Sequence, residues 1–331
     1  MTDRPKILVT QKVPDPAYPL LEAIGDVEAN MEEGNIWPYE ELLRRGPGHD
    51  YIYSLLTDNI DAGFLEACAA STPRLKMVAN MAVGFNNIDV ETATRLRIAV
   101  SNTPGVLSDT TADLAFALLM ATARRIPEAE RFLRAGKYTG WGPLLFCGAD
   151  VHGSTLGLIG AGRIGKLVAQ RSSGFNMKVL YYDVYQMKPE EEATYHMTYM
   201  PMEDVLRQSD FISVHTPYMP STHHLIGERE LKMMKPTAML INTARGPIVD
   251  EKALVRALQS KTIAAAGLDV FENEPAVEQE LLTMENVVIL PHIASASLKT
   301  RTLMATMASD NIVAHYKGER PPNIVNPEVL E

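Results

Sequence analysis

The sequence predicts an α/β protein of two Rossmann-like, doubly wound parallel-sheet domains. Short apolar runs alternate with helical patterns through the first hundred residues. A second series, with six strand-like runs, begins near residue 154. Its first strand meets its first helix at the glycine-rich turn Gly160-Ala161-Gly162-Arg163-Ile164-Gly165. Strand–helix alternation of this kind gives a parallel sheet covered by helices. At 331 residues the chain is also too long for one ordinary core.

In the first series, residues 7–9, 51–56, 76–80 and 98–100 read as strands and 18–24 as a helix. Asn102-Thr103-Pro104-Gly105 then breaks the pattern. The following helix, 112–123, is apolar on nearly every face, so both domains or a second subunit must cover it. Residues 139–146 are aromatic and loop-like. The second series places strands at 156–159, 178–182, 211–214, 238–242, 265–269 and 287–290. A long helix over 295–316 returns the chain to the first domain, making that domain discontinuous. The expected division is 1–103 with 295–331 for substrate and 104–294 for a dinucleotide.

Composition removes several classes. With 46% hydrophobic and 22% charged residues, a packed soluble protein is expected. A net charge of -10 repels phosphate backbones, so no nucleic-acid partner is expected. Cys68 and Cys147 are too few for a disulfide framework or a zinc site, and no metal-ligand spacing occurs. A reducing cytoplasm fits best. The start of the chain has no signal-like apolar region. The most apolar stretch, 114–123, is about half a membrane span, so no membrane partner is expected.

The glycine turn has the surroundings a dinucleotide needs. It follows the apolar run Leu156-Gly157-Leu158-Ile159 and opens a helix at Ile164. The next strand ends on Asp183, near the spacing of about 20 residues for a ribose-binding carboxylate. Gly160 permits the turn, Gly162 lets backbone approach a pyrophosphate, and Gly165 lets helix pack on strand. The helix N-terminus offers unpaired N–H groups to phosphate, with Arg163 and Ile164 in its first turn. Asp183 accepts from a ribose 2′-OH and repels a 2′-phosphate, and Val184-Tyr185-Gln186 supplies no cation. NAD(H) is therefore favoured, with NADP(H) as the second reading. Thr111, Thr216, Thr243, Ala244 and Asp269 join these as candidate cofactor contacts.

Candidate chemistry sits at strand ends, where ligands bind in such sheets. Arg245, in Asn242-Thr243-Ala244-Arg245-Gly246, can clamp a carboxylate bidentately, although a lone arginine is more often a surface ion pair. His292 follows the last strand. A histidinium paired with a carboxylate such as Glu274 suits proton donation to a carbonyl oxygen during hydride transfer. Yet a lone histidine after a strand is more often structural. Eight histidines are present, His215, His223 and His224 among them, so spacing alone does not select His292. No Ser-His-Asp arrangement competes.

Together these segments resemble the D-isomer-specific 2-hydroxyacid dehydrogenases, within them the glyoxylate/hydroxypyruvate reductases. The resemblance spans nearly the whole chain. It rests on residues 78–89 (Val-Ala-Asn-Met-Ala-Val-Gly-Phe-Asn-Asn-Ile-Asp), Thr103-Pro104-Gly105-Val106-Leu107, the glycine turn and Asn242 to Gly246. Gly267-Leu268-Asp269-Val270-Phe271, Glu274-Pro275 and Pro291-His292-Ile293 complete it. It implies reduction of a small 2-keto acid, glyoxylate or hydroxypyruvate, to the D-2-hydroxy acid. It also implies that Arg245 binds substrate, His292 is the acid/base, Glu274 is its carboxylate and Asp269 faces the nicotinamide carboxamide. The backbone N–H groups of Val83 and Gly84 would hold the substrate carboxylate, with Leu56 an apolar wall. Trp141 would lid the site from a partner subunit, which implies a homodimer.

Two departures stand out. Ala294 replaces the usual glycine, and Asp183-Val184 stands where many glyoxylate reductases carry an arginine for NADPH. The rivals are another D-2-hydroxyacid dehydrogenase, a phosphite dehydrogenase, a formate dehydrogenase of this fold and a dinucleotide-sensing corepressor. Ala82 stands in place of the phosphite enzyme's lysine, and Glu274 in place of the formate enzyme's glutamine. The corepressor keeps a similar triad, so sequence alone leaves it open.

Overall fold

The computed structural model describes residues 4–331. Two compact units form, one running to Leu107 and resuming over Ala296–Glu331, the other spanning Ser108–Ser295.

The first unit holds β1 (Lys6–Val9), β2 (Asp26–Ala29), β3 (Tyr51–Ser54), β4 (Met77–Asn80) and β5 (Ala99–Ser101). They pair in parallel in the order β2-β1-β3-β4-β5, with Leu8 registered between Glu28 and Ile52. Strands β3 and β4 are buried along their whole length, as expected of parallel strands covered on both faces. The helix Leu298–Tyr316 packs on β3, β4 and the helix Tyr18–Glu22. Tyr53 donates its hydroxyl to the Ala305 carbonyl at 3.1 Å.

Local chemistry shifts several expected boundaries. The long helix begins at Leu298 and not 295, because Ser297 caps it by accepting from the Thr300 N–H. Strand β3 stops at Ser54 and not 56, because the Asp58 carboxylate accepts the Leu55 N–H at 2.7 Å and turns the chain. Strand β2 carries one aliphatic side chain between two carboxylates on a sheet edge, so no apolar run announces it.

The second unit holds β6 (Thr155–Ile159), β7 (Lys178–Tyr182), β8 (Met197–Tyr199), β9 (Phe211–Val214), β10 (Met239–Asn242), β11 (Ala265–Leu268) and β12 (Val287–Ile289). These seven strands, one more than expected, run parallel in the order β12-β11-β10-β9-β6-β7-β8. The additional strand is the three-residue edge β8. Apolar layers bury both faces of the sheet, one around Ile212, Leu240 and Leu254, the other around Leu158, Ile241 and Leu119. Truncating Ile212 to alanine in such a layer costs about 2–5 kcal/mol.

The helix Ser108–Ala123 packs on β10, β11, β12 and the helix Arg163–Ser172. Its approach to β11 is close, since a Cβ on Gly267 would meet Thr122 Oγ1 at 2.6 Å. Coverage is not complete on every side, because Asp113 and Ala117 remain exposed. Among the described residues no helix is long and apolar enough to cross a membrane. The order of strands in this sheet reverses at β6, which lies between β9 and β7. The carboxyl ends of β6 and β9 therefore flank a topological switch point, where doubly wound sheets bind ligands.

Candidate functional site: a glycine cradle and a histidine–carboxylate pair

The three glycines after β6 have three different surroundings. Gly160 adopts φ +96°, and a Cβ there would meet the backbone of His215 and Thr216 at 2.7 Å. Gly165 faces the Gly160 carbonyl, which a Cβ would meet at 2.4 Å, so the helix lies directly on the turn. A Cβ on Gly162 meets nothing within 4 Å, so this glycine borders open space. No side chain caps the helix Arg163–Ser172 at Gly162, which leaves first-turn N–H groups facing that space. The Asp183 carboxylate crosses to the turn and accepts the Ala161 N–H at 2.7 Å. Beyond it Val184 and Tyr185 are 78% and 84% exposed.

The other cofactor candidates line strand ends and a helix start. Thr111 is buried in the first turn of Ser108–Ala123. Thr216 follows β9 half-buried. Thr243 follows β10, and its buried hydroxyl has no hydrogen-bond partner in the chain. Ala244 is held by Asn242, whose Oδ1 accepts the Ala244 N–H and whose Nδ2 donates to the Arg245 carbonyl, each at 3.0 Å. An open glycine turn, an uncapped helix and an orphaned hydroxyl fit a dinucleotide with phosphate and amide groups.

The strands β10, β11 and β12 deliver Arg245, Asp269 and His292 in turn. Burial lowers the Arg245 guanidinium's pKa, an effect the Glu274 charge opposes. Asp269 is fully buried and holds the loop after β12. Its carbonyl accepts the His292 N–H at 2.9 Å, and its two carboxylate oxygens accept Ile293 and Ala294 N–H groups at 2.8 Å each. Burial raises its pKa, and those two amides oppose the rise. His292 sits at φ +55°, a left-handed conformation rare for a side-chain residue and retained where surroundings enforce it.

Glu274 spends one oxygen on the Phe271 N–H and the other on His292 Nδ1, both at 2.9 Å. Burial alone would raise its pKa. The hydrogen bond and charge of His292, the Phe271 amide and the Arg245 charge together hold it below the usual carboxylate range. The side chains of His292 and Glu274 are 22% and 30% exposed, so the pair reaches solvent.

A second histidine–carboxylate pair joins His224 Nε2 to Glu272 Oε1 at 2.8 Å. His223 stacks on His224, with ring centroids 3.9 Å apart. Glu272 also accepts the Glu251 N–H, so its carboxylate is tied to scaffold. His215 lies at the switch point with Nε2 2.8 Å from Ser213 Oγ, and burial pushes its imidazole down to about 4. Of the four candidate histidines, His292 alone follows a strand end and pairs with a carboxylate that also senses an arginine.

The remaining site candidates in the first unit lie on two turns. Leu56, after β3, is half-buried. Asn102 Nδ2 donates to the Val83 carbonyl at 2.8 Å and Asn80 Nδ2 to the Gly84 carbonyl at 3.0 Å. Among the described residues the N–H groups of Val83 and Gly84 find no acceptor within the chain. Trp141, in the second unit, is 82% exposed. Sequence reasoning missed Asn242, the Phe271 amide and the loop-holding role of Asp269. An asparagine at a strand end before a turn is a recognisable signal. The other two leave none.

A dinucleotide cradle at the switch point, with an arginine and a histidine–carboxylate pair on neighbouring strand ends, defines a nicotinamide-dependent oxidoreductase. Residues 116–294 match the family model for the NAD-binding domain of D-isomer-specific 2-hydroxyacid dehydrogenases. Glyoxylate reductases of Thermococcus litoralis and Aeropyrum pernix are 46% and 48% identical, each aligned over 99% of this chain and 98% of the relative. A solved structure of an NADPH-dependent glyoxylate/hydroxypyruvate reductase from Sinorhizobium meliloti, in complex with NADP and malonate, superposes with a TM-score of 0.85. It is 34% identical, covering 99% of this chain and 98% of that one. The chain belongs to the D-isomer-specific 2-hydroxyacid dehydrogenase family.

Proposed function

We propose that this protein reduces glyoxylate or hydroxypyruvate to glycolate or D-glycerate with NADH. The observation that carries this reading is the 2.9 Å contact from His292 Nδ1 to Glu274 Oε2 on strand ends shared with Arg245. With Nδ1–H committed to Glu274, a protonated His292 keeps Nε2–H for a substrate oxygen. Arg245 and the unpaired N–H groups of Val83 and Gly84 bind the substrate carboxylate, Leu56 supplies an apolar wall, and the partner subunit's Trp141 lids the site. When bound, the nicotinamide supplies a hydride to the 2-keto carbon. His292 delivers its Nε2 proton to the carbonyl oxygen as negative charge develops there, and Glu274 holds the ring in place throughout. The neutral imidazole then regains a proton from solvent.

Gly160, Gly162, Arg163, Ile164 and Gly165 hold the pyrophosphate, and Asp183 the ribose 2′-OH. Thr111, Thr216, Thr243 and Ala244 line the rest of the dinucleotide site, and the buried Asp269 acts on it through the loop it holds. NADH is preferred because Asp183 is followed by the exposed Val184 and Tyr185 and by no cation. The reading is tested by following NADH and NADPH oxidation with glyoxylate, hydroxypyruvate and pyruvate, and NAD reduction with phosphite and formate. The highest kcat/KM falls on a 2-keto acid with NADH. Turnover on phosphite or formate alone, or on no substrate, contradicts it, the latter outcome favouring a dinucleotide sensor.

A homodimer belongs to this reading. The helix Ile126–Arg134 buries none of its residues. On it and in the segment that follows, Ile126, Leu133, Tyr138, Trp141 and Leu144 are 49–85% exposed, apolar surface that a monomer leaves in water. Sedimentation equilibrium gives twice the chain mass of 36.5 kDa if a second copy covers this surface, and a single-chain mass otherwise.

A further inference from the structure

The segment that carries Glu274 is held from behind by a clasp of two carboxylates that the proposed chemistry does not use. Glu251 is the first residue of the helix Glu251–Gln259 and is 6% exposed. Its Oε2 accepts the Glu272 N–H at 2.8 Å and its Oε1 the Glu278 N–H at 2.9 Å, so the two bonds bracket Glu274 along the chain. Glu272 returns the contact, its Oε2 accepting the Glu251 N–H at 3.1 Å and its Oε1 facing His224.

The anchor is rigid. Asp250 caps the helix by accepting the Ala253 N–H at 2.8 Å, and Leu254, Val255 and Leu258 bury its apolar face. The clasp also meets the turn that presents Arg245, because a Cβ on Gly246 would overlap the Phe271 carbonyl at 1.8 Å. Among the described residues Glu251 forms no ion pair, so two amides and a helix N-terminus are what support a buried carboxylate. A neutral side chain would be cheaper to bury. Only a carboxylate presents acceptors to both amides at once.

We propose that Glu251 is a positioning residue for the reduction: its carboxylate fixes the segment from Glu272 to Glu278 and thereby the placement of Glu274 against His292. This rests on the reading of Glu274 and His292 given above, and the test separates the two. Glu274 is faced by His292, Arg245 and Asp269, none of which Glu251 touches. A Glu251 effect therefore has to travel through the segment.

In Glu251→Gln the amide end presents donors to one of the two N–H groups. Glyoxylate kcat/KM with NADH falls by about 10–100-fold, as expected for a reacting group displaced by a fraction of an ångström, while the NADH Kd is unchanged. The alkaline limb of the pH profile for reduction moves down, in the same direction as in Glu274→Gln, because a displaced carboxylate favours the charged imidazole less. Glu251→Asp, which keeps both acceptors, recovers part of the rate and of the profile. If Glu251→Gln does not fold, Glu272→Gln, which weakens the clasp from the other side, moves the limb in the same direction. A variant with normal kcat per folded molecule and an unmoved limb overturns the proposal. An unmoved limb in Glu274→Gln removes instead the reading on which it rests.

Discussion

Asp269 accepts the backbone N–H of Ala294 through Oδ2 at 2.8 Å, and the matching bond from Ile293 to Oδ1 makes this buried carboxylate the holder of the loop that carries His292. The Asp269→Asn side chain keeps its shape but presents an amide NH2 to one of the two donors. We expect a loss of stability of about 1–3 kcal/mol from the broken buried bond, measured by denaturant unfolding. We also expect a fall in kcat larger than the fall in NADH affinity, because His292 leaves its left-handed conformation. Unchanged stability would show that the loop holds itself.

Gly162 and Gly165 separate cofactor binding from folding. Gly162→Ala adds a methyl where nothing lies within 4 Å, so Tm stays put while NADH binding weakens by about tenfold or more, equivalent to ~1.4 kcal/mol. Gly165→Ala places a Cβ at 2.4 Å from the Gly160 carbonyl and forces the helix off the turn, lowering both Tm and affinity. Thermal unfolding with and without NADH reads both. A destabilised Gly162→Ala would mean that the open space is needed by the chain itself.

In the proposed function Asp183 sets the preference for NADH. Asp183→Asn retains an acceptor for the Ala161 N–H and removes the charge that repels a 2′-phosphate. The ratio of kcat/KM for NADPH to that for NADH should rise by at least about tenfold, and further with Val184→Arg, which adds a cation at an exposed position. An unchanged ratio would place the discrimination elsewhere.

The parallel sheets were legible because their strands are buried on both faces. Strands β3, β4 and β10 each open on three apolar residues, β9 is apolar but for Ser213, and the glycine turn announces the helix after β6. The edge strands β2 and β8 were not, since a strand with one face in water carries too few apolar residues to stand out. Arg245, Glu274 and His292 could be named from strand ends and resemblance, but spacing did not distinguish His292 from His215, His223 or His224. That distinction needs the partners. The clasp of Glu251 and Glu272 was invisible, because bonds between side chains and distant backbone leave no periodicity.

His215 makes stability depend on pH. Its folded-state value of about 4 lies below the unfolded value of roughly 6.5, so the unfolded chain binds the proton more tightly. The contribution is fully present above about pH 6.5 and is lost as pH falls toward 4, reaching about 3 kcal/mol by the difference between the two values. The unfolding free energy of the wild type should drop across this window more than that of His215→Gln. Parallel curves for the two proteins would show that the imidazole is solvated.

The proposed reduction depends on His292 as the proton donor. In His292→Ala, NADH binding measured by fluorescence titration should remain as in the wild type, because the glycine cradle is untouched. The kcat for glyoxylate reduction should fall by about 10²–10⁴-fold, the range expected for loss of a positioned general acid. Turnover within a few-fold of wild type, with NADH bound normally, would contradict the assignment.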